Sequence, residues 1–412
     1  MAERANLVSV PTLVESPFIV VTIGGVTFGS YSGGGAYAGG TVQYPNFLES
    51  MEVVKVNGTV NTYTINFSYQ VRPGDDPNLL EEIFAMAAKE RKVKLQYGDY
   101  ASPSYIYKEE VCIITNLTSS LSMSSSLIKY TLNCTSDAIG LTSTPYDFPA
   151  RKAKPSDVLK EMLNNPKYGM KKIFSGMQNN QKVLSGNLIA SNDKTVNLVS
   201  QYNMNALDYM NYLVSSMVDS GNKQMNNLGN SMYYLTIHDD TSNTFGGTYF
   251  KVTEVSDKTR NIATTNAYEI DVNYPEDHMV TEFNVNNNQV WSILYETATT
   301  LKQEDYSYQI DREGNLQIDK APGIIKSPIT NKVSPTLNNW WTKMTSFPIS
   351  ASITIKGLTR PSILMSYVKV NVWFNGAQKH ISSGLYIVTQ QTDYINANGY
   401  RTRLELLRIG GD

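Results

Sequence analysis

The chain has 412 residues, of which 41% are hydrophobic and 17% charged, with a net charge of −2. That length accommodates roughly two to four domains with sizeable cores, and the near-neutral balance excludes a basic nucleic-acid binder and an acidic tail. Apolar runs are short and the start, MAERANLVSV, lacks a basic lead into an apolar core, so no signal peptide and no membrane span are expected.

In chain order, residues 18–23 read as a short strand ended by Gly24-Gly25. The stretch 29–40, GSYSGGGAYAGG, has no following GK[ST] and opens no helical pattern, so it reads as a loop rather than a phosphate cradle. Such a loop orders on a neighbouring subunit, and Tyr31, Gly34 and Tyr37 are its expected contacts. Residues 53–56 and 60–69 flank Asn57-Gly58, which suits a type I′ hairpin turn. In the second of these strands Tyr63, Ile65, Phe67 and Tyr69 alternate with Thr62, Thr64, Asn66 and Ser68, so one face is apolar and the other small, polar and uncharged. A helix follows, with Asp76 as N-cap and Pro77 in its first turn. Leu79, Leu80, Ile83, Phe84 and Ala87 form its stripe, and Lys89, Arg91 and Lys92 lie at its C-terminal end. It is expected to cover the apolar face of a sheet completed by strands at 93–97, 104–107, 111–117 and 127–134.

From about 151 to 230 the period changes from two to nearly four. Ser156 suits a helix cap, and Asn205 caps another helix whose stripe is Leu207, Met210, Leu213, Val214 and Met217. Strands return near 233, 248–255, 268–272 and 280–285, and 311–319 reads as two strands around a turn at Gly314-Asn315. The last part is the most regular, with strands at 349–355, 368–374, 385–389 and 400–409 and turns at Asn375-Gly376 and Asn398-Gly399. Residues 113–135 and 387–409 align without gaps, pairing Thr115 with Thr389, Leu121 with Ile395, Lys129 with Arg403 and Leu132 with Leu406, as one hairpin built twice would. The expected division is 1–148, a β-domain; 149–232, a helix-rich insert; and 233–412, a second β-domain with a small β-subdomain.

Enzyme chemistry needs convergent titratable groups, and the pattern supplies none. His238, His278 and His380 are isolated, and neither HExxH nor GxSxG occurs. No catalytic, cofactor-binding or metal-ligating residue is expected. His238-Asp239-Asp240 lacks the spacing and closing Glu of an EF-hand, so a solvated turn is expected there. The pairs Glu81-Glu82 and Glu109-Glu110 read as surface charge, because adjacent carboxylates point in different directions. Cys112 and Cys134 belong to no CxxC or zinc pattern and are expected as buried thiols. The Trp340-Trp341 pair reads as a subunit interface, with sugar stacking as the other reading.

The segments Tyr274-Pro275 with VTEFNV at 280–285, GLYIV at 384–388 and GYRTRL at 399–404 resemble the baseplate hub proteins of bacteriophage tails, which are related to hub modules of type VI secretion spikes. Layout is similar along the whole chain; residue-level similarity is confined to roughly its final sixty positions. The resemblance implies a mainly β fold (α+β), with two tail-tube-like β-sheet or barrel domains, each with a lateral helix, plus a helical insert. It further implies a homotrimer forming a pseudo-hexameric ring in the tail baseplate of a virion assembled in the host cytoplasm. Such a ring joins the six-fold tail tube protein to the three-fold central spike protein, alongside the tape-measure protein and other baseplate proteins. DNA passes through its lumen without sequence-specific binding, and the chain inserts in no membrane. On this reading Tyr31, Gly34, Tyr37, Trp340, Trp341, Tyr386, Tyr400 and Arg401 make subunit or partner contacts, and Thr62, Thr64, Asn66 and Ser68 face the lumen. A six-fold tail tube or tail-completion protein, and a carbohydrate-binding or cell-wall hydrolase component, stay open as alternatives.

Overall fold

The computed structural model describes residues 17–29, 47–87, 92–99, 107–122, 124–143, 145–164, 195–198, 201–217, 232–241, 248–255, 266–271, 280–287, 306–310, 316–320, 349–357, 363–374, 378–380, 382–396 and 399–410. The first unit comprises β1 (Pro17–Ile23), β2 (Val26–Gly29), β3 (Leu48–Val56), β4 (Thr62–Gln70), α1 (Leu79–Ala87), β5 (Lys92–Asp99), β6 (Tyr107–Ser122) and β7 (Leu127–Thr135). Next come α2 (Gly140–Ser143), β8 (Pro145–Phe148), β9 (Arg151–Ala153), α3 (Pro155–Asn164), β10 (Val196–Leu198), β11 (Gln201–Asn205), α4 (Ala206–Ser215), β12 (Met232–His238) and β13 (Tyr249–Val255). The remainder is β14 (Asn266–Asp271), β15 (Val280–Asn287), β16 (Tyr306–Ile310), β17 (Leu316–Lys320), β18 (Ile349–Lys356), β19 (Tyr367–Phe374), β20 (Gln378–Lys379), β21 (Gly384–Asn396) and β22 (Gly399–Gly410).

One 14-stranded sheet dominates the described residues, in the order β15-β18-β22-β21-β3-β4-β7-β6-β5-β1-β2 with β14, β19 and β20 beside β21. It is antiparallel except for the β14–β19 pair. The alternation expected of β4 holds: Tyr63, Ile65, Phe67 and Tyr69 are buried, while Thr64, Asn66 and Ser68 are half-exposed and Thr62 is exposed. Asp76 caps the turn before α1 by accepting from the Asn78 amide at 2.8 Å. Leu80, Ile83 and Phe84 bury the helix against the sheet, with the Phe84 ring 5.3 Å from Phe67 and 5.8 Å from Tyr130. Lys92 is not at the end of this helix but in β5.

Two local expectations change because neighbours intervene. Asn57-Gly58 does not form a type I′ turn, since only Gly58 has positive φ (75°) and the Thr59 amide donates to Val56 O at 3.3 Å, an arrangement closer to type II. The turn is held from outside: Gly58 N donates to Leu235 O at 2.7 Å and the Asn211 side chain donates to Gly58 O at 2.7 Å. A Cβ at Gly58 would come within 2.9 Å of Asn211 Oδ1, so glycine is required by contact as well as by φ. Ser156 does not cap α3, which starts one residue earlier with Val158 N donating to Lys154 O.

Asn205 does cap α4, accepting from the Asp208 amide at 2.8 Å, and Leu207, Met210, Leu213, Val214 and Met217 are all buried as the stripe requires. Asn205→Ala is expected to cost about 1 kcal/mol of stability, read as a lowered urea midpoint at unchanged slope. The apolar cluster around α4 also takes in Tyr233, Leu235, Ile237, Phe250 and Val252 of β12 and β13. Of the segment 311–319, residues from Leu316 lie in β17, which pairs with β16 ahead of the segment, and 311–315 lie outside the described residues.

The hairpin is built twice, and the repetition is larger than the sequence indicates. The orders β3-β4-β7-β6-β5 and β15-β18-β22-β21-β19 coincide. In β6 a bulge lies between Ile114 and Asn116, and in β21 one lies between the equivalent Val388 and Gln390. The bulged threonines act alike: Thr115 donates to Asn133 O at 3.0 Å, and Thr389 to Glu405 O at 3.2 Å. A second shared bulge separates Leu48 from Ser50 in β3 and Val280 from Glu282 in β15. Register then matches Tyr63, Ile65 and Phe67 with Ala351, Ile353 and Ile355, and Gln96 with Asn371, each residue being buried. The gapless alignment fails beyond the hairpin turn because two residues separate the last pair Asn396 and Gly399, against four between Ser122 and Leu127; Lys129 and Leu132 correspond to Arg401 and Leu404. The second copy also lacks the lateral helix expected of it among its described residues. Between β18 and β19, residues 363–366 form a turn that inserts Ile363 and Leu364 into the apolar cluster.

Candidate functional site

Two features of the sheet are candidates for function: a continuous polar face and the seam where the two copies meet. The seam is the antiparallel pairing of β3 with β21, from Ser50 opposite Asn396 to Val56 opposite Gln390. Strand alternation carries the polar face across it. One row runs Lys356, Arg401, Tyr394, Glu52, Thr64 and Asn133; the next runs Glu282, Thr354, Arg403, Thr392, Val54 and Thr62. In the first copy Thr62, Thr64, Asn66 and Ser68 are themselves neutral, with Glu52 opposite Thr64 and Lys129 opposite Ser68 on the neighbouring strands, and Asn66 donates to Ser50 and accepts from Thr131, each at 2.9 Å. The equivalent residues of β18 are Ser350, Ser352, Thr354 and Lys356. Small polar side chains recur in the second copy, where Arg401, the equivalent of Lys129, and Arg403 on the neighbouring strand carry charge, Arg403 being paired with Glu405 at 2.8 Å.

Behind the seam lies a buried ionic cluster. Lys55 pairs with Glu110, and Lys108 pairs with Asp393 at 2.7 Å; all four side chains are at most 2% exposed. Asp393 also accepts from Tyr400 OH at 2.9 Å, Thr402 Oγ1 at 2.7 Å and Gln391 Nε2 at 2.8 Å, while Tyr97 OH donates to Glu110 at 3.1 Å. The Lys108 ammonium stands 5.4 Å from the Tyr97 ring centroid and 5.7 Å from that of Tyr400. Burial alone would raise Asp393, but Lys108 and Lys55 overcome it and hold the carboxyl below its ordinary range. Burial lowers Lys108, and Asp393 offsets only part of that. Strand alternation explains how Glu110 came to be misread: of the adjacent pair, Glu109 is half-exposed beside Lys94, while Glu110 points inward and is fully buried.

A third buried acid joins the insert to this core. Asp239 accepts from Asn61 Nδ2 at 2.7 Å, Tyr63 OH at 2.9 Å, Ser136 Oγ at 2.7 Å and Thr248 Oγ1 at 2.6 Å. Burial is the leading cause of its raised pKa. The segment expected as a solvated turn is therefore a buried joint, with His238 and Asp240 at 5% and 7% exposure. His238 bonds Thr236 Oγ1 at 2.9 Å and stacks on Tyr249. No group of three or more His, Cys, Asp and Glu among the described residues would hold a metal. Cys112 and Cys134 are buried and free, and burial pushes the Cys112 thiol well up. These acids and bases are held by each other and by hydroxyls in strand register, an arrangement suited to fixing how the copies dock.

Of the residues expected to make subunit contacts, Tyr386 is fully buried, with its hydroxyl donating to Ser382 O at 2.6 Å, and Tyr400 is buried in the seam. Arg401 is exposed on the polar face. Tyr31, Gly34, Tyr37, Trp340 and Trp341 lie outside the described residues. The ionic cluster itself escaped sequence reading, and the only signal for it was Lys55, Lys108 and Glu110 at inward positions of alternating strands. No helix among the described residues is long and apolar enough to cross a membrane.

No protein-family model matches the chain, and no curated protein matches it. Among solved structures, the tail protein from Neisseria meningitidis MC58 superposes with a TM-score of 0.52 at 8% identity, over 96% of this chain and 98% of that one. The 43 kDa tail protein of prophage MuSo2 from Shewanella oneidensis gives 0.51 at 10% identity, over 95% and 97%. A component of the E. coli type VI secretion system gives 0.45 at 9%, over 89% and 75%. The likeness to phage tail proteins drawn from the terminal strands therefore holds for the fold, along nearly the full length of this chain and of the two tail proteins.

Proposed function

We infer that the chain is a structural, non-enzymatic component of a phage tail, and within the tail the baseplate hub. The observation that carries this reading is the duplication: five strands repeated with the same order, register and bulges put two similar modules in one chain. Three such chains around an axis present six modules to a six-fold tube while keeping three-fold symmetry for a spike. The partners on this reading are two further copies of the chain, the tail tube protein, the central spike protein, the tape-measure protein and other baseplate proteins, in the virion tail baseplate.

The polar face lines the ring's lumen, with Thr62, Thr64, Asn66 and Ser68 in one module and Ser350, Ser352 and Thr354 in the other. Short neutral side chains let DNA slide, since each Lys or Arg bound to a phosphate adds affinity. Residues 29–40 are a contact element.

Light scattering on the purified chain is expected to give three times 45.9 kDa, and negative-stain averages a three-fold ring with six lobes and a central hole. A six-fold ring of six chains would make it a tube or tail-completion protein. A compact monomer with affinity for glycans would make it a carbohydrate-binding component.

A further inference from the structure

The seam inside the chain specifies the seam between chains. In the first copy, β3 is closed by the outer half of β21, residues 390–396. The strand equivalent to β3 is β15, which ends the sheet order, and among the described residues it pairs only with β18. The strand equivalent to β21 is β6. Its first part pairs with β5 up to Ile113, and beyond that point its outer half has β7 on one side and no described strand on the other. Among the described residues, one copy thus leaves unpaired the two edges that the seam joins.

Exposure differs between the closed and open edges in the direction this predicts. Met51, Val53 and Ile395, which meet at the closed seam, are 0%, 0% and 1% exposed. Their equivalents at the open edges are Phe283, which is half-buried, Val285 at 40% and Leu121 at 68%. Among the described residues, Leu121 and Val285 are two of the three large hydrophobic side chains that stand exposed. An open strand edge carrying apolar side chains on its inward face calls for a partner strand.

We propose that residues 116–122 of β6 in one copy pair antiparallel with β15 of a second copy, in the register of the internal seam. Transferring that register puts Ser122 opposite Glu282, Leu121 opposite Phe283, Ser120 opposite Asn284, Ser119 opposite Val285 and Thr118 opposite Asn286. Chemistry separates the two seams. Asp393, Lys55, Lys108 and Glu110 correspond to Ser119, Asn287, Ser382 and Gly384, so the joint between copies has no ionic cluster. It closes by backbone pairing and by burial of Leu121, Phe283 and Val285. The occupant is a second copy because the outer half of β6 is the equivalent of the β21 segment that closes β3, and β15 is the equivalent of β3. This inference rests on the ring reading above and specifies its subunit contact.

The test is a cysteine pair, Leu121→Cys with Phe283→Cys, in the full chain, since directly opposed Cβ atoms lie about 4.5–5.5 Å apart. Mild oxidation is expected to give a covalent ladder on denaturing gels. Ser119→Cys with Phe283→Cys, two residues out of register, is expected to give at least tenfold less. Should Phe283→Cys fail to fold, Ser119→Cys with Val285→Cys asks the same question at more exposed positions. A ladder closing at three copies supports both seam and hub. In-register closure at another number supports the seam and overturns the hub. A trimer by light scattering that forms no ladder, or one that links equally out of register, overturns the seam and leaves the hub standing. A monomer without a ladder overturns both.

Discussion

Replacing Asp393 by Ala is expected to cost about 3–5 kcal/mol of folding stability, because it leaves the Lys108 ammonium buried without its counter-charge. The same change strips Tyr400, Thr402 and Gln391 of a shared acceptor, each buried beside the seam. Urea unfolding at pH 7 reads the loss directly. The double variant Asp393→Leu with Lys108→Met should cost clearly less than Asp393→Ala alone, since an apolar pair removes the stranded charge. Equal losses in the two variants would mean that hydroxyl partners, and not the ion pair, hold the seam. Arg403→Ala serves as the contrast: that pair is exposed, and its removal should change stability by at most about 1 kcal/mol.

Acid should unfold the chain through His238 before it reaches most carboxylates. Burial, then the charges of Lys251 and Lys55, lower this imidazole from its ordinary value to about 3. Between about pH 6.5 and 3 the unfolded chain binds a proton there that the folded chain does not, so stability falls as pH falls, by about 1.4 kcal/mol per unit. Roughly 2 kcal/mol is therefore lost between pH 6.5 and 5. Asp393 adds a loss of the same sign at lower pH: its folded pKa is lowered, so its contribution is present above the unfolded carboxylate value and disappears as pH falls through the folded one. Asp239, raised by burial, acts in the opposite sense. Urea midpoints at pH 7, 6 and 5 should show the decline, and His238→Gln should flatten it over that window. An unchanged slope in the variant would place the acid sensitivity elsewhere.

The local patterns that were read correctly follow from the period of a strand or helix, whereas Ser156 as a cap and Asn57-Gly58 as a type I′ turn were not borne out. The alternation of Tyr63, Ile65 and Phe67 with Thr64, Asn66 and Ser68 follows from the two-residue period of a strand and needs no partner to be recognised. Asn205 as a cap and the stripe from Leu207 to Met217 follow from the 3.6-residue period and the unpaired amides of a helix start. The repeated hairpin was visible through Thr115 and Thr389, although its two-residue shift was not, because loop length leaves the flanking strand pattern intact.

Amino-acid order by itself thus determined the mainly β class, the faces of β4, the helix capped by Asn205 and one of the repeated elements. Which strands meet was decided only in three dimensions. Nothing in the neighbourhood of Lys55 or Asp393 announces that β3 and β21 will pair across more than three hundred positions. Nor does anything near Glu110 show that it will be buried against a lysine from another strand. A charged side chain is tolerated inside only when its counter-charge arrives from elsewhere in the chain, so its burial depends on long-range pairing and not on the residues around it. That the second copy shows no helix between β18 and β19 among its described residues has the same origin, since Ile363 and Leu364 from a shorter connection join its apolar cluster.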